Sequence, residues 1–278
     1  MRSLSEGLGA VAFLLGSCGG LHAEIDAGTL RVCADPNSLP FSNAAGEGFE
    51  NKLAQLVAQA LEAKLSYEWW AQRRGFVSHT LKAGVCDVIM GVPAGYGPVE
   101  TTLPYYRSSY VFVSRADRKL DISSIDDPRL RQLKIGVHLI GSDGSNTPPA
   151  HALGEEGIIS NVMGFMIYGD YRDADPPARL IEAVETGRID IAAAWGPLAG
   201  FAAEHSPIAL HLTPIEGMER FAPLRAQFDV AMGVRHGNDA LRDKLNTVII
   251  DNRSRIEALL SAYGVPLLPL PNEQVPEK

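Results

Sequence analysis

The sequence predicts an α/β protein made of two similar lobes, and three observations carry that prediction. The first is a pattern that occurs twice at an offset of 103 residues (30 to 133, 84 to 187). Leu30-Arg31-Val32 opens one short apolar run and Leu133-Lys134-Ile135 opens another. Leu81-Lys82-Ala83-Gly84-Val85-Cys86-Asp87-Val88-Ile89 closes a helix-like stretch and enters a second apolar run. Ala183-Val184-Glu185-Thr186-Gly187-Arg188-Ile189-Asp190-Ile191 does the same. The pattern reads as strand, helix, glycine stop, aspartate turn, buried strand. Glycine ends a helix because the left-handed conformation costs it little, and an unbroken apolar run suits a strand covered on both faces. The second observation is a length of 278 residues, enough for two domains of ordinary size. The third is a 46% hydrophobic composition, which allows two large cores.

Each element follows in order. Asp35-Pro36-Asn37-Ser38-Leu39-Pro40 is turn chemistry after the first strand. Leu53, Leu56, Val57, Ala60, Leu61 and Leu65 recur at the spacing of one helix face, with Asn51, Lys52, Gln55, Gln59 and Glu62 opposite. The aromatic run 67–70 reads as a strand, 74–83 as a helix stopped by Gly84, and 86–92 as a third strand. The β-branched and aromatic run 110–114 reads as a strand leading out of the lobe. In the second lobe the expected order is strand 133–140, short helix 150–156, strand 165–168, helix 178–186 and strand 189–195. The run 209–212 leads back, 228–234 rejoins the first lobe, and helices 239–250 and 253–263 pack on it. Lobe one is thus expected over 28–114 and 215–265, lobe two over 120–214, and a proline-rich extended tail over 266–278. Two crossings between lobes form a hinge, and such hinges permit closure around a ligand.

The N-terminus reads as an export signal over residues 1–23. Arg2 precedes the apolar segment 8–15, and small residues lead to Ala23. Leu21 at the −3 position and Glu6 in the basic flank depart from the ideal. A lipoprotein signal, Leu15-Gly16-Ser17-Cys18, is the rival reading. No later segment has the uninterrupted apolar length, about 20 residues, that spans a bilayer. Export leaves Cys33 and Cys86, an even pair in an oxidising compartment, which reads as a disulfide. Two buried free thiols are the alternative. A metal site is disfavoured, because no His or Cys lies at ligand spacing around either cysteine.

Several segments carry a family resemblance: Leu30-Arg31-Val32-Cys33-Ala34-Asp35-Pro36, Leu39-Pro40-Phe41-Ser42-Asn43, Gly48-Phe49-Glu50-Asn51-Lys52, Trp69-Trp70, Gln72-Arg73-Arg74-Gly75-Phe76, Cys86-Asp87-Val88-Ile89-Met90-Gly91-Val92-Pro93-Ala94-Gly95-Tyr96 and Pro104-Tyr105-Tyr106-Arg107-Ser108. Over residues 28–265 the chain resembles the family 3 periplasmic solute-binding proteins of ABC transporters. The segments resemble one branch of it, the solute-binding-like accessory proteins encoded beside PQQ-dependent methanol dehydrogenases. The resemblance implies a two-lobed periplasmic-binding-protein-like fold with two inter-lobe crossings. It implies a periplasmic, non-enzymatic accessory that assists or activates such a dehydrogenase. A transport receptor for a small solute is the alternative. Amino-acid binders of the family place an arginine after the third strand to grip an α-carboxylate, the geometry a guanidinium suits. Here that stretch runs from Gly91 to Thr102 without one. An acid after the last strand of lobe two is replaced by Trp195-Gly196-Pro197.

Ligands of open α/β sheets bind beyond the C-terminal ends of strands. That rule selects Asp35, Asn37, Phe41, Tyr96, Ser142, Asp143 and Trp195, each of which is otherwise a loop residue capping backbone or covering core. Arg73 and Arg74 suit an anion, a partner's acidic groups or a solvated helix start. Tyr105 and Arg107 suit a cleft, a docking face or packing under the crossing strand. Enzyme signatures are missing: no His-Glu-x-x-His and no Gly-x-Ser-x-Gly. Gly141-Ser142-Asp143-Gly144 lacks the lysine of a phosphate loop, and no cofactor is expected. A chance acidic pair keeps a hydrolase open. A net charge of −8 argues against nucleic-acid binding.

Overall fold

The computed structural model describes residues 28–140, 146–168 and 175–270. The first half contains β1 (Thr29–Ala34), β2 (Asn37–Ser38), β3 (Ser42–Asn43), α1 (Phe49–Ala60), β4 (Lys64–Trp69), α2 (Phe76–His79), β5 (Val88–Pro93) and β6 (Glu100–Arg115). There follow β7 (Ile135–Leu139), α3 (Pro148–Glu155), β8 (Val162–Met166), α4 (Arg179–Glu185), β9 (Ile191–Trp195), α5 (Gly196–His205) and β10 (Leu210–Pro214). The chain then returns through β11 (Gln227–Val234), α6 (Asp239–Asp251) and α7 (Arg253–Ala262).

The sequence repeat becomes a repeated hydrogen-bond device. Asp87 and Asp190 each reach back 56 residues. Asp87 Oδ2 accepts the Arg31 backbone N–H at 3.0 Å, and Asp190 Oδ2 accepts that of Lys134 at 2.8 Å. Each aspartate's own N–H donates at 2.8 Å to the carbonyl of the same partner. The glycines before them, Gly84 and Gly187, sit at φ +77° and +70°, where a side chain would be strained. Both units therefore set a parallel strand pair, β1 with β5 and β7 with β9.

Strand order completes the likeness. One half reads β4-β1-β5-β11-β6, and the other reads β8-β7-β9-β6 with β10 beyond β6. In each, three parallel strands meet an antiparallel strand and then another. β6 belongs to both halves. Its residues 100–109 pair with β11, while Tyr110 to Ser114 pair with β9 and the stretch 111–115 with β10. The expected strand 110–114 is thus the far half of a 16-residue strand. Partners change near residue 109, and Ile215, Met218, Phe221 and Ala226 pack into the second lobe's core. Drawn by packing, the crossings fall near 109 and 226, because the connecting strand and the return segment each serve lobe two before reaching lobe one.

α1 buries Phe49, Leu53, Ala54, Val57 and Ala58 against β1, β5 and β11. Its one buried polar residue, Asn51, accepts the N–H groups of Asn43 at 3.0 Å and Gly48 at 3.1 Å, so its carbonyl is satisfied. The helix expected over 74–83 is a single turn. Gly75 at φ +88° lets it begin only at Phe76, and the Thr80 hydroxyl takes the Phe76 carbonyl at 2.6 Å as the helix ends. α5 lies between the expected strand 189–195 and the run 209–212, where the sequence reading placed no element. A proline in the first turn is compatible with a helix, since its missing N–H has no helical partner there. Cys33 and Cys86 form a disulfide, with Cα atoms 5.5 Å apart.

Candidate functional site

An aromatic cluster sits where β6 passes from one lobe to the other. Tyr110 of β6, Trp195 at the end of β9 and Phe228 of β11 form a three-ring cluster with centroids 5.2 to 6.4 Å apart. Trp195 comes from lobe two but packs against the core of lobe one. Its side chain also hydrogen-bonds the Tyr106 hydroxyl. It therefore ties the lobes at the hinge.

The rim is built by the loop after β1. Asp35 accepts the N–H of Asn37 at 2.8 Å and that of Gln72 at 2.6 Å. Burial pushes its carboxyl up, and these two hydrogen bonds pull it back down. Both oxygens are thus engaged in holding loops. Asn37 Oδ1 accepts the Asp175 N–H of lobe two at 3.0 Å, a direct bridge across the cleft. Asp175 answers by accepting the Leu39 N–H. Its carboxyl is pushed up to about 6 by burial, with Glu182 adding to the rise. Phe41 lies edge-on to Phe49 at 5.4 Å and covers core.

The remaining sequence candidates disperse. Arg107 is locked bidentately by Asp229, with Nε–Oδ1 at 2.6 Å and Nη2–Oδ2 at 2.9 Å. Its carbonyl accepts the Leu268 N–H at 2.9 Å, so the extended C-terminal segment crosses the hinge here. Tyr105 is 3% exposed and donates to the Met90 carbonyl at 2.9 Å; it is a core side chain. Tyr96, 39% exposed, stands in the turn after β5. Arg73 and Arg74 are exposed before α2. Ser142 and Asp143 lie outside the described residues. The sequence reading missed two acids, Asp175 and Glu50. Glu50 opens α1, and burial pushes its carboxyl up to about 7. Only its place beside the Phe41 loop, within the quoted Gly48–Lys52 segment, could have flagged it.

Among the described residues no cluster of His, Cys, Asp and Glu suits a metal ion. No helix among them is long and apolar enough to cross a membrane. With Arg107 neutralised and Trp195-Gly196-Pro197 where the amine-binding acid would stand, a zwitterion finds neither partner in the usual place. None of the twenty amino acids is expected to bind with micromolar affinity, because an unpaired carboxylate in a closed cleft is costly. Calorimetry against all twenty tests this; one clear micromolar isotherm defeats it.

No protein-family model matches the chain. Whole-chain relatives are more informative. Protein MoxJ of Methylorubrum extorquens is 35% identical over 262 residues, covering 90% of this chain and 85% of its own. The chain belongs to the MoxJ family. Protein MoxJ of Paracoccus denitrificans is 31% identical, covering 95% of this chain and 96% of its own. The crystal structure of periplasmic binding protein XoxJ from Methylobacterium extorquens AM1 shares 36% identity and superposes with a TM-score of 0.71. It covers 87% of this chain and all of its own. An ancestral cationic amino acid solute-binding protein, 19% identical, superposes at 0.65 over 85% of this chain and 96% of its own, and shares the fold alone. MoxJ membership places the chain in the solute-binding-like branch that the sequence segments resemble.

Proposed function

We propose that this MoxJ-family protein is a periplasmic, non-enzymatic accessory of a PQQ-dependent methanol dehydrogenase, assisting or activating it by direct contact. The observation that carries the reading is the altered cleft. Trp195 ties the hinge to Tyr106, and the arginine available to a carboxylate is held by Asp229. The amino-acid site of a transport receptor is thereby dismantled while the two-lobed frame is retained. Whole-length similarity to MoxJ proteins supports the association with methanol oxidation.

Exposed Tyr96 and Arg73 are the contacts we assign to this docking role, with Trp195 contributing from the cleft. Tyrosine, tryptophan and arginine dominate interface energetics because they join large buried area to directed polar groups. Tyr105 and Arg107 are excluded from direct contact by the core packing and the ion pair above. Deleting the gene is expected to lower dehydrogenase activity, and a tagged copy should co-purify the dehydrogenase from periplasm. Tyr96→Ala or Arg73→Ala should weaken that association by about 1–3 kcal/mol while leaving the melting temperature unchanged. Unchanged activity together with no co-purified dehydrogenase would defeat the reading. Delivery of a small solute to a membrane permease would then take its place.

A further inference from the structure

The two strand crossings, near 109 and 226, would by themselves leave a hinge free to turn. A third connection lies beside them. Helix α5 belongs to lobe two, where Ala199 packs into a core with Val113, Leu180 and Ala194. The segment that follows α7 belongs to lobe one, where Val265 is buried and Tyr263 and Leu267 pack against the same core. The helix and the segment meet backbone to backbone.

The contact is made through glycine. Gly196 and Gly200 lie one turn apart on the same face of α5. A Cβ on Gly200 would overlap the Gly264 carbonyl. One on Gly196 would stand 2.6 Å from the Ser109 carbonyl oxygen and 3.2 Å from the Pro266 ring. Neither position has room for a side chain. The segment is fixed on both sides of this bare face. The Phe201 ring stacks on Tyr263 at 5.9 Å, and the Tyr263 hydroxyl donates to the Glu47 carbonyl of lobe one. The buried Ser108 hydroxyl donates to the Pro266 carbonyl at 2.7 Å, and the Leu268 N–H donates to the Arg107 carbonyl at 2.9 Å. Residues 263–268 are thus wedged between α5 and the lobe-one half of β6, where that strand changes partners. The Asn37–Asp175 hydrogen bond joins the lobes independently. A rotation that parts the lobes draws α5 off the segment, and close-packed atoms lose up to about half of their attraction over a gap of about 1 Å.

We propose that residues 263–268 act as a strap that locks lobe two onto lobe one through Gly196 and Gly200, so that the protein keeps one lobe arrangement whether or not its cleft is filled. The inference concerns the frame alone and does not rest on the dehydrogenase reading.

Spin labels at Ile159→Cys in lobe two and Ile250→Cys in lobe one report the lobe separation; both side chains are exposed, and Cys33 and Cys86 are paired with each other. Double electron–electron resonance on the full chain should give a single narrow distance. Gly200→Ala is the decisive variant. Alanine is the better helix former, so on an open helix face it would only stabilise; here its methyl has to displace the strap. The distribution should gain a population displaced by about 5 Å, the movement that a rotation of about 15° gives a group about 20 Å from its pivot. Gly154→Ala on α3, where a Cβ meets open space, should leave the distance unchanged. If Gly200→Ala does not melt as a folded protein, Ser108→Ala combined with Phe201→Ala decides in its place, since it removes the hydrogen bond and the ring stack without adding an atom. A ligand carried over in purification would hold the lobes of every variant alike. Three results would overturn the proposal: a broad or two-population distance without a strap substitution, an unchanged distance in the folded strap variant, or the same displacement in Gly154→Ala.

Discussion

Replacing Cys33 and Cys86 together by alanine is expected to lower the stability of lobe one by about 4 kcal/mol. The bond closes a loop of 53 residues, and a cross-link of that span removes loop-closure entropy from the unfolded chain. The loop contains β2, β3, α1, β4 and α2, so the denatured state it restrains is much of the lobe. The two cysteines are 2% and 0% exposed, in an apolar cluster with Phe76, Leu81 and Ile89. Alanine avoids the added cost of a buried serine hydroxyl. Urea unfolding of the wild type, the wild type with reductant, and the double variant is the measurement. Reductant should destabilise the wild type by a similar amount and leave the variant unmoved. Thiol counting on denatured, unreduced mature protein should find no free cysteine. A loss under about 1 kcal/mol would show that the unfolded lobe is already restrained without the bond.

The repeat was legible because its chemistry is local. Gly84 and Gly187 need positive φ, and Asp87 and Asp190 follow three residues later, so one short motif encodes the turn, the back-bond and the buried strand. Helix α1 was legible for a similar reason, its apolar face recurring within one window. What failed to show depends on residues far apart in sequence. Arg107 and Asp229 are 122 residues apart, and only the antiparallel pairing of β6 and β11 brings them together. Without that pairing Arg107 reads as a free cation. Tyr105 looked like a contact residue, yet the register shift between β6 and β11 lets Tyr105 and Tyr106 both enter the core. Asp175 follows no periodicity at all; its importance arises from the Asn37 loop of the other lobe. Glu50 sat in plain view in a helix's first turn, where an acid is expected for the helix dipole alone. Its place against Gly91 and Tyr105 emerges only when β5 and β6 are set beside the helix.

Acid is expected to unfold the protein through His138, and the effect should approach 2.5 kcal/mol at about pH 4.5. His138 stands in β7 and is 4% exposed. Its Nε2 lies 3.1 Å from the Pro177 carbonyl, which only accepts, so the neutral ring carries its proton there. Burial pushes the imidazole down to about 4 from its ordinary 6.5, against the weaker pull of that carbonyl. Below the ordinary value the unfolded chain takes up a proton that the folded chain refuses. Stability therefore falls as pH drops from 6.5 towards 4, and changes no further below that. Glu50 and Asp175 act in the opposite sense. Their folded carboxyls, raised to about 7 and about 6, hold protons that the unfolded chain has lost. Stability from these groups is retained in acid and falls as pH rises through the interval. The wild-type profile is thus a balance of opposing slopes, and a single variant isolates one of them. Urea unfolding of wild type and His138→Gln at about pH 4.5, 5.5, 6.5 and 7.5 should give curves that converge or cross in acid, because glutamine keeps a donor for Pro177 but never titrates. Parallel curves across that range would show that His138 is protonated in the folded protein, and that the lobe accommodates its charge.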